Sequence, residues 1–160
     1  MSVADVGKEL TSGSGASLSA RRRIAVIAAG LAADFALIGM RQYGVIGKLP
    51  DPPLRMFDSN AVITGRAAYP LGIPDSALAV TGLGAIIGLA TAGGSTRTGR
   101  GKWLDVLLAG AVSIGAAGAT FYLHHMIARQ RRLCAYCLVG AAGFYAMVPS
   151  LQDVLKGDQP

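Results

Sequence analysis

The chain has 160 residues, 52% of them hydrophobic, and a mean hydropathy of +0.46, an apolar excess that argues against an ordinary soluble domain. Fifteen Lys and Arg against nine Asp and Glu give a net charge of +6. The basic residues lie between the apolar blocks, which suits membrane lipid headgroups and argues against a nucleic-acid partner.

Residues 1–20 are rich in Ser, Gly and Ala without an apolar period, and predict a disordered cytoplasmic leader. Arg21, Arg22 and Arg23 then meet an apolar run that continues to Met40, longer than the apolar part of a secretory signal. It predicts an uncleaved first helix over 24–40. The segment 41–75 carries Pro50, Pro52, Pro53, Pro70 and Pro74 together with several charges, so it predicts one long outer loop.

A second apolar block, 76–92, opens on Ser76 as an N-cap and offers Gly82, Gly84 and Gly88 as a close-packing face, with Gly84 and Gly88 in GxxxG spacing. A short polar link leads to a third block, 103–123, with Gly110, Ser113, Gly115 and Gly118. The fourth, 133–151, has Gly140 and Gly143. Each block is about as long as a bilayer-spanning helix requires. The predicted fold is all-α: an integral membrane four-helix bundle over 21–152, followed by a polar tail, 153–160.

Within the blocks only Asp34 and Asp105 carry charge. Asp34 is expected to turn to the bundle interior or to water. Asp105, beside Trp103 near a helix end, is expected to be hydrated at the interface, without function. Orientation is nearly balanced: eight Lys and Arg in the leader, the 93–102 link and the tail stand against seven in the long loop and at Arg129, Arg131 and Arg132. The triple Arg beside the first helix is weighted most and places both termini in the cytoplasm, with the long loop outside the cell membrane.

The two cysteines, Cys134 and Cys137, are separated by Ala135 and Tyr136. That spacing brings both sulfurs to one helix face, where they can bridge or open to two thiols. A helix start beside Arg129, Arg131 and Arg132 favours thiolate. Cys134 is expected to face an aqueous partner and Cys137 to lie one turn deeper, toward an apolar oxidant such as a quinone. Haem attachment fails because Leu138 stands where a histidine is needed. A metal site of His124, His125, Cys134 and Cys137 stays open, as does a pair of buried thiols.

The segment Ser59-Asn60-Ala61-Val62-Ile63-Thr64-Gly65, the run Leu71-Gly72-Ile73-Pro74 and the C-x-x-C at the start of the fourth helix together resemble the vitamin K epoxide reductase family over about residues 20–152. The resemblance implies a membrane thiol:quinone oxidoreductase in which Cys137 reacts with ubiquinone or menaquinone and Cys134 exchanges disulfides with a separate thioredoxin-like thiol protein. Phe144 and Tyr145, with Phe121 and Tyr122, are the candidate quinone pocket. Protonation of the quinone by Asp34 is weighed against structural pairing. The family's two loop cysteines have no counterpart: Ser59 or Asn60 stands at the second, Gly65 replaces the second residue of a Ser pair, and Ala141 replaces a tyrosine. A partner thiol would therefore have to reach an exposed Cys134 directly. The alternative is a non-enzymatic membrane subunit or a His/Cys metal-binding module on the same fold.

Overall fold

The structure, a computed structural model, describes residues 7–8 and 11–157, the side chain of Arg100 excepted. From Ala16 onward six α-helices follow one another: α1 Ala16–Gln42, α2 Ser59–Ile63, α3 Asp75–Thr91, α4 Lys102–His125, α5 Ala135–Met147 and α6 Leu151–Lys156. No strand forms among the described residues; Phe57 and Leu133 share an isolated parallel bridge. The 3-10 turn Val148–Ser150 joins α5 to α6 into one 22-residue rod.

α1, α4 and the α5–α6 rod are long and apolar enough to cross a membrane. α3, at 17 residues, spans about 25 Å, slightly less than a hydrocarbon core of about 30 Å. Helices of this kind satisfy their own backbone groups, which is why such apolar runs fold as helices in lipid. The protein is a helical membrane bundle. α1 packs on α3 and α5, and α4 packs on α3 and α5, so the four long helices form a ring with α1 and α4 on one diagonal. One apolar core made by Ile24, Leu31, Leu83, Leu108, Val112 and Met147 runs through it.

Close approach is concentrated at three glycines. A methyl added at Gly115 would overlap the Phe144 ring, one at Gly143 would overlap Leu31, and one at Gly140 would lie 3.0 Å from Phe35. Backbones packed this closely replace the hydrophobic drive that lipid removes. The expected close-packing face of α3 is not used in this way: Cβ atoms at Gly82, Gly84 and Gly88 would meet nothing within 4 Å. α3 instead buries Leu83, Ile86 and Ala90 in the common core.

Three local expectations need correction. α1 begins at Ala16 rather than at residue 24, because Ser17, Leu18 and Ala20 are buried against the bundle; residues 7–8 and 11–12 are helical too, so this part of the leader has regular structure. Residues 1–6, 9–10 and 158–160 of the expected leader and tail lie outside the described residues. Ser76 does not cap α3. Pro74 occupies the N-cap position without a side-chain cap bond, and the buried Ser76 hydroxyl donates to Gln42 Oε1 at 2.5 Å.

Asp105 is not hydrated. It is 5% exposed and paired with Arg97. The same guanidinium donates to the carbonyls of Leu89, Ala90 and Ala92, and Arg21, 1% exposed, donates to those of Ala90, Gly94 and Ser95. Two arginines thus satisfy the C-terminal carbonyls of α3, where the helix dipole is negative.

Candidate active site

Cys134 and Cys137 are disulfide-bonded, with Cα atoms 5.2 Å apart. Cys134 is the N-cap of α5, and its Sγ accepts the backbone N–H of Cys137 at 3.1 Å. A π-helical turn, Met126–Gln130, ends α4 and is followed by Arg131 in the left-handed region (φ 53°). That turn swings the chain back so that the Cys134 N–H meets Met126 Sδ at 3.1 Å.

A flap from the long loop covers Cys134. The Asp58 N–H donates to the Leu133 carbonyl (2.9 Å), the Leu133 N–H donates to that of Met56 (2.8 Å), and Arg132 pairs with Asp58. Ser59 Oγ accepts the Ala135 N–H at 2.9 Å, while the Asp51 carboxylate accepts the Ser59 N–H at 3.0 Å. Asn60 ties the flap together: its side-chain amide exchanges two hydrogen bonds of 2.9 Å with the Leu49 backbone and accepts from Arg41 Nε. The Tyr136 hydroxyl donates to the Pro50 carbonyl at 3.0 Å. Cys134 and Ser59 are both 0% exposed. The expectation that Cys134 faces water is therefore overturned.

Cys137, one turn on, lines a cavity of about 220 Å³ enclosed by α1, α3, α4 and α5 and roofed by the loop. Its wall is apolar, with Phe35, Leu78 and Phe144 contributing, and it carries a few polar groups, among them Asp75 and Tyr122. The Asp75 carboxylate accepts from Gln42 Nε2 at 2.7 Å, and the same amide nitrogen donates to the Ile63 carbonyl at 2.9 Å. An apolar chamber with a few anchored polar groups is the usual form of a small-molecule site.

Of the expected pocket residues, Phe144 lines this cavity and Tyr145 does not: the Tyr145 hydroxyl is 2.8 Å from the Thr120 hydroxyl. Phe121 is 66% exposed, while Tyr122 lines the chamber. Asp34 is outside the wall, its Oδ2 without a hydrogen-bond partner among the described residues. The metal set is not assembled. His124 is exposed, His125 lies at the edge of the cavity, both sulfurs are consumed in the disulfide, and no group of three or more His, Cys, Asp or Glu converges among the described residues.

Sequence reasoning passes over Asp75, Gln42 and Phe35. Asp75 reads as the end of the loop, yet a carboxylate between Pro74 and an apolar block is a residue obliged to find a polar partner at a helix start. Gln42, just after the first block, carries the complementary signal.

No curated protein matches the chain. The model of the vitamin K epoxide reductase family matches residues 22–150, from the arginines of α1 to the turn before α6. With a match over that length, four apolar helices and a cysteine pair at the start of the last long one, the chain belongs to the vitamin K epoxide reductase family and is a multi-pass membrane protein of the thiol-dependent oxidoreductase kind.

Proposed function

We propose that the protein is a membrane thiol:quinone oxidoreductase in which the Cys134–Cys137 dithiol gives two electrons and two protons to ubiquinone or menaquinone and closes to the disulfide. One observation carries this reading: a redox-capable sulfur, that of Cys137, stands in the wall of an apolar, ring-sized cavity inside a membrane bundle. A quinone head is flat and apolar with two carbonyl acceptors. Phe35 and Phe144 bring aromatic rings to the wall, and Tyr122 brings a ring that carries a hydroxyl donor. The reacting bond has its electrons at Cys137, and the buried Cys134 completes the disulfide as the quinol leaves.

The protein belongs in the cell membrane with both termini cytoplasmic and the cysteine pair on the extracytoplasmic side, on the strength of Arg21, Arg22 and Arg23 in α1, just before its apolar run. The test uses the full chain in lipid nanodiscs, reduced with dithiothreitol and freed of it, then mixed with a menaquinone analogue. One quinol formed per dithiol lost is the expected result, and Cys137→Ser abolishes it. Thiols that stay titratable in excess quinone would overturn the assignment.

A further inference from the structure

The reductant that reopens the disulfide must reach one of its two sulfurs. Cys134 is 0% exposed beneath a flap held by the Phe57–Leu133 bridge and the Asp58–Arg132 ion pair. A thioredoxin-like protein attacking Cys134 would have to displace that flap. Cys137 is part-exposed, and the cavity it lines abuts a second, open hollow. Val62, Ala67, His125 and Gln130 border both.

This vestibule is basic. Arg66 lines it, as does Arg132, which is paired with Asp58, and the exposed Arg129 and Arg131 stand on either side of Gln130 in the chain. At this end of the bundle, residues 41–75 and 124–134 hold seven Lys and Arg against three Asp. Gln130 Oε1 is buried at the junction with no hydrogen-bond partner among the described residues, an acceptor available to an amide N–H. The vestibule thus offers positive charge at the mouth and an amide acceptor further in, beside the cavity that holds the part-exposed sulfur.

Resting on the redox reading above, we infer that the electron donor is a small anionic thiol of peptide-like chemistry, and that it attacks Cys137 rather than Cys134. The donor thiolate bonds to Cys137 Sγ while the S–S pair departs on Cys134 Sγ. There the hydrogen bond from the Cys137 N–H and the N-terminal end of α5 stabilise the leaving thiolate. A second donor thiolate attacks the donor sulfur of this mixed disulfide. It departs as the oxidised, disulfide-linked donor and leaves Cys137 as thiolate. Two donor thiols are oxidised, the protein disulfide is reduced, and two protons pass to the dithiol or to solvent. Thiol and quinone then use the same sulfur in turn, which requires ping-pong kinetics with each substrate competing against the other.

The experiment treats the oxidised full chain in nanodiscs with glutathione, quenches in acid, alkylates the freed thiol and maps both groups by peptide fragmentation. Glutathione on Cys137 with the alkyl group on Cys134 is expected, whereas glutathione on Cys134 overturns the inference. Glutathione, neutral 2-mercaptoethanol and cationic cysteamine are then compared at equal thiolate concentration. Arg66→Ser should slow glutathione about threefold to tenfold more than 2-mercaptoethanol, with the difference shrinking in high salt. Equal slowing of all three thiols overturns the charge selection. Should the dithiothreitol-reduced chain fail to reduce quinone while glutathione still lands on Cys137, the quinone reading falls and this one stands. If the reduced chain consumes quinone but only a thioredoxin-like protein reopens the disulfide, this inference alone falls.

Discussion

Ser59 stands beside the disulfide without sulfur of its own, and its hydroxyl does backbone work: it accepts the N–H of Ala135 in the first turn of α5, where helix donors lack internal partners. Replacing it by Ala leaves that N–H unsatisfied in a closed site. Ser59→Ala should cost about 1–3 kcal/mol locally and let the flap open more often. Urea titration in mild detergent checks the first effect. The rate at which a small thiol reagent reaches Cys134, in a chain reduced beforehand and carrying Cys137→Ser, checks the second, and an unchanged rate would mean the flap is held elsewhere. The cysteine pair was legible in the sequence because its chemistry is local, two sulfurs one turn apart. Asp75 and Tyr122 were not legible as partners, since 47 positions separate them and only the α3–α4 packing brings both to one wall.

Among the elements, α3 is the most instructive. Its C-cap, Ala92, is extended and is followed by Gly93 in the left-handed region (φ 76°), and two buried arginines, from α1 and the 93–102 link, donate to carbonyls of its last turn. Arg97 and Asp105 have side chains only 2% and 7% exposed, so neither tolerates loss of the other. Arg97→Leu leaves an unpaired carboxylate and open helix carbonyls, and should destabilise by about 3–5 kcal/mol. Arg97→Leu combined with Asp105→Leu should recover part of that loss, because the orphaned charge is gone. Thermal unfolding in one detergent, run on both variants, measures the difference; equal losses would show that the carbonyl caps alone matter. Gly143→Val, which drives a side chain into Leu31, should cost about 1–3 kcal/mol by the same assay. Sequence reasoning found the four apolar blocks, because hydropathy is summed over many residues. It misplaced the start of α1 and the state of Asp105, because polar residues at a helix end are indistinguishable from interfacial ones until a buried partner such as Arg97 is seen.

At the scale of the whole molecule, the chain sorts its chemistry to one end. The start of α1, the 93–102 link and α6 lie together, as the Arg21 bonds to Gly94 and Ser95 and the packing of α6 on α1 require. The loop 43–74, the π-helical turn and the disulfide lie at the other end, joined by the Phe57–Leu133 bridge and by Asp58–Arg132. The sequence allowed this segregation, since four spans alternate in direction, but charge counting left its sense within the membrane almost balanced. The arrangement makes a strict demand on topology. In a chain with both cysteines changed to Ser, single cysteines at the exposed positions Ser12, Lys48 and Thr96 report on the two faces. Lys48→Cys should react with a membrane-impermeant maleimide on intact cells, and Ser12→Cys and Thr96→Cys only after permeabilisation. Reaction of the Ser12 and Thr96 variants alone on intact cells would invert the proposed orientation while keeping the fold. Lys48 and Ser12 variants reacting from the same face would mean that α1, the one long helix between them, does not cross the membrane, and the bundle could then not stand as a four-span unit.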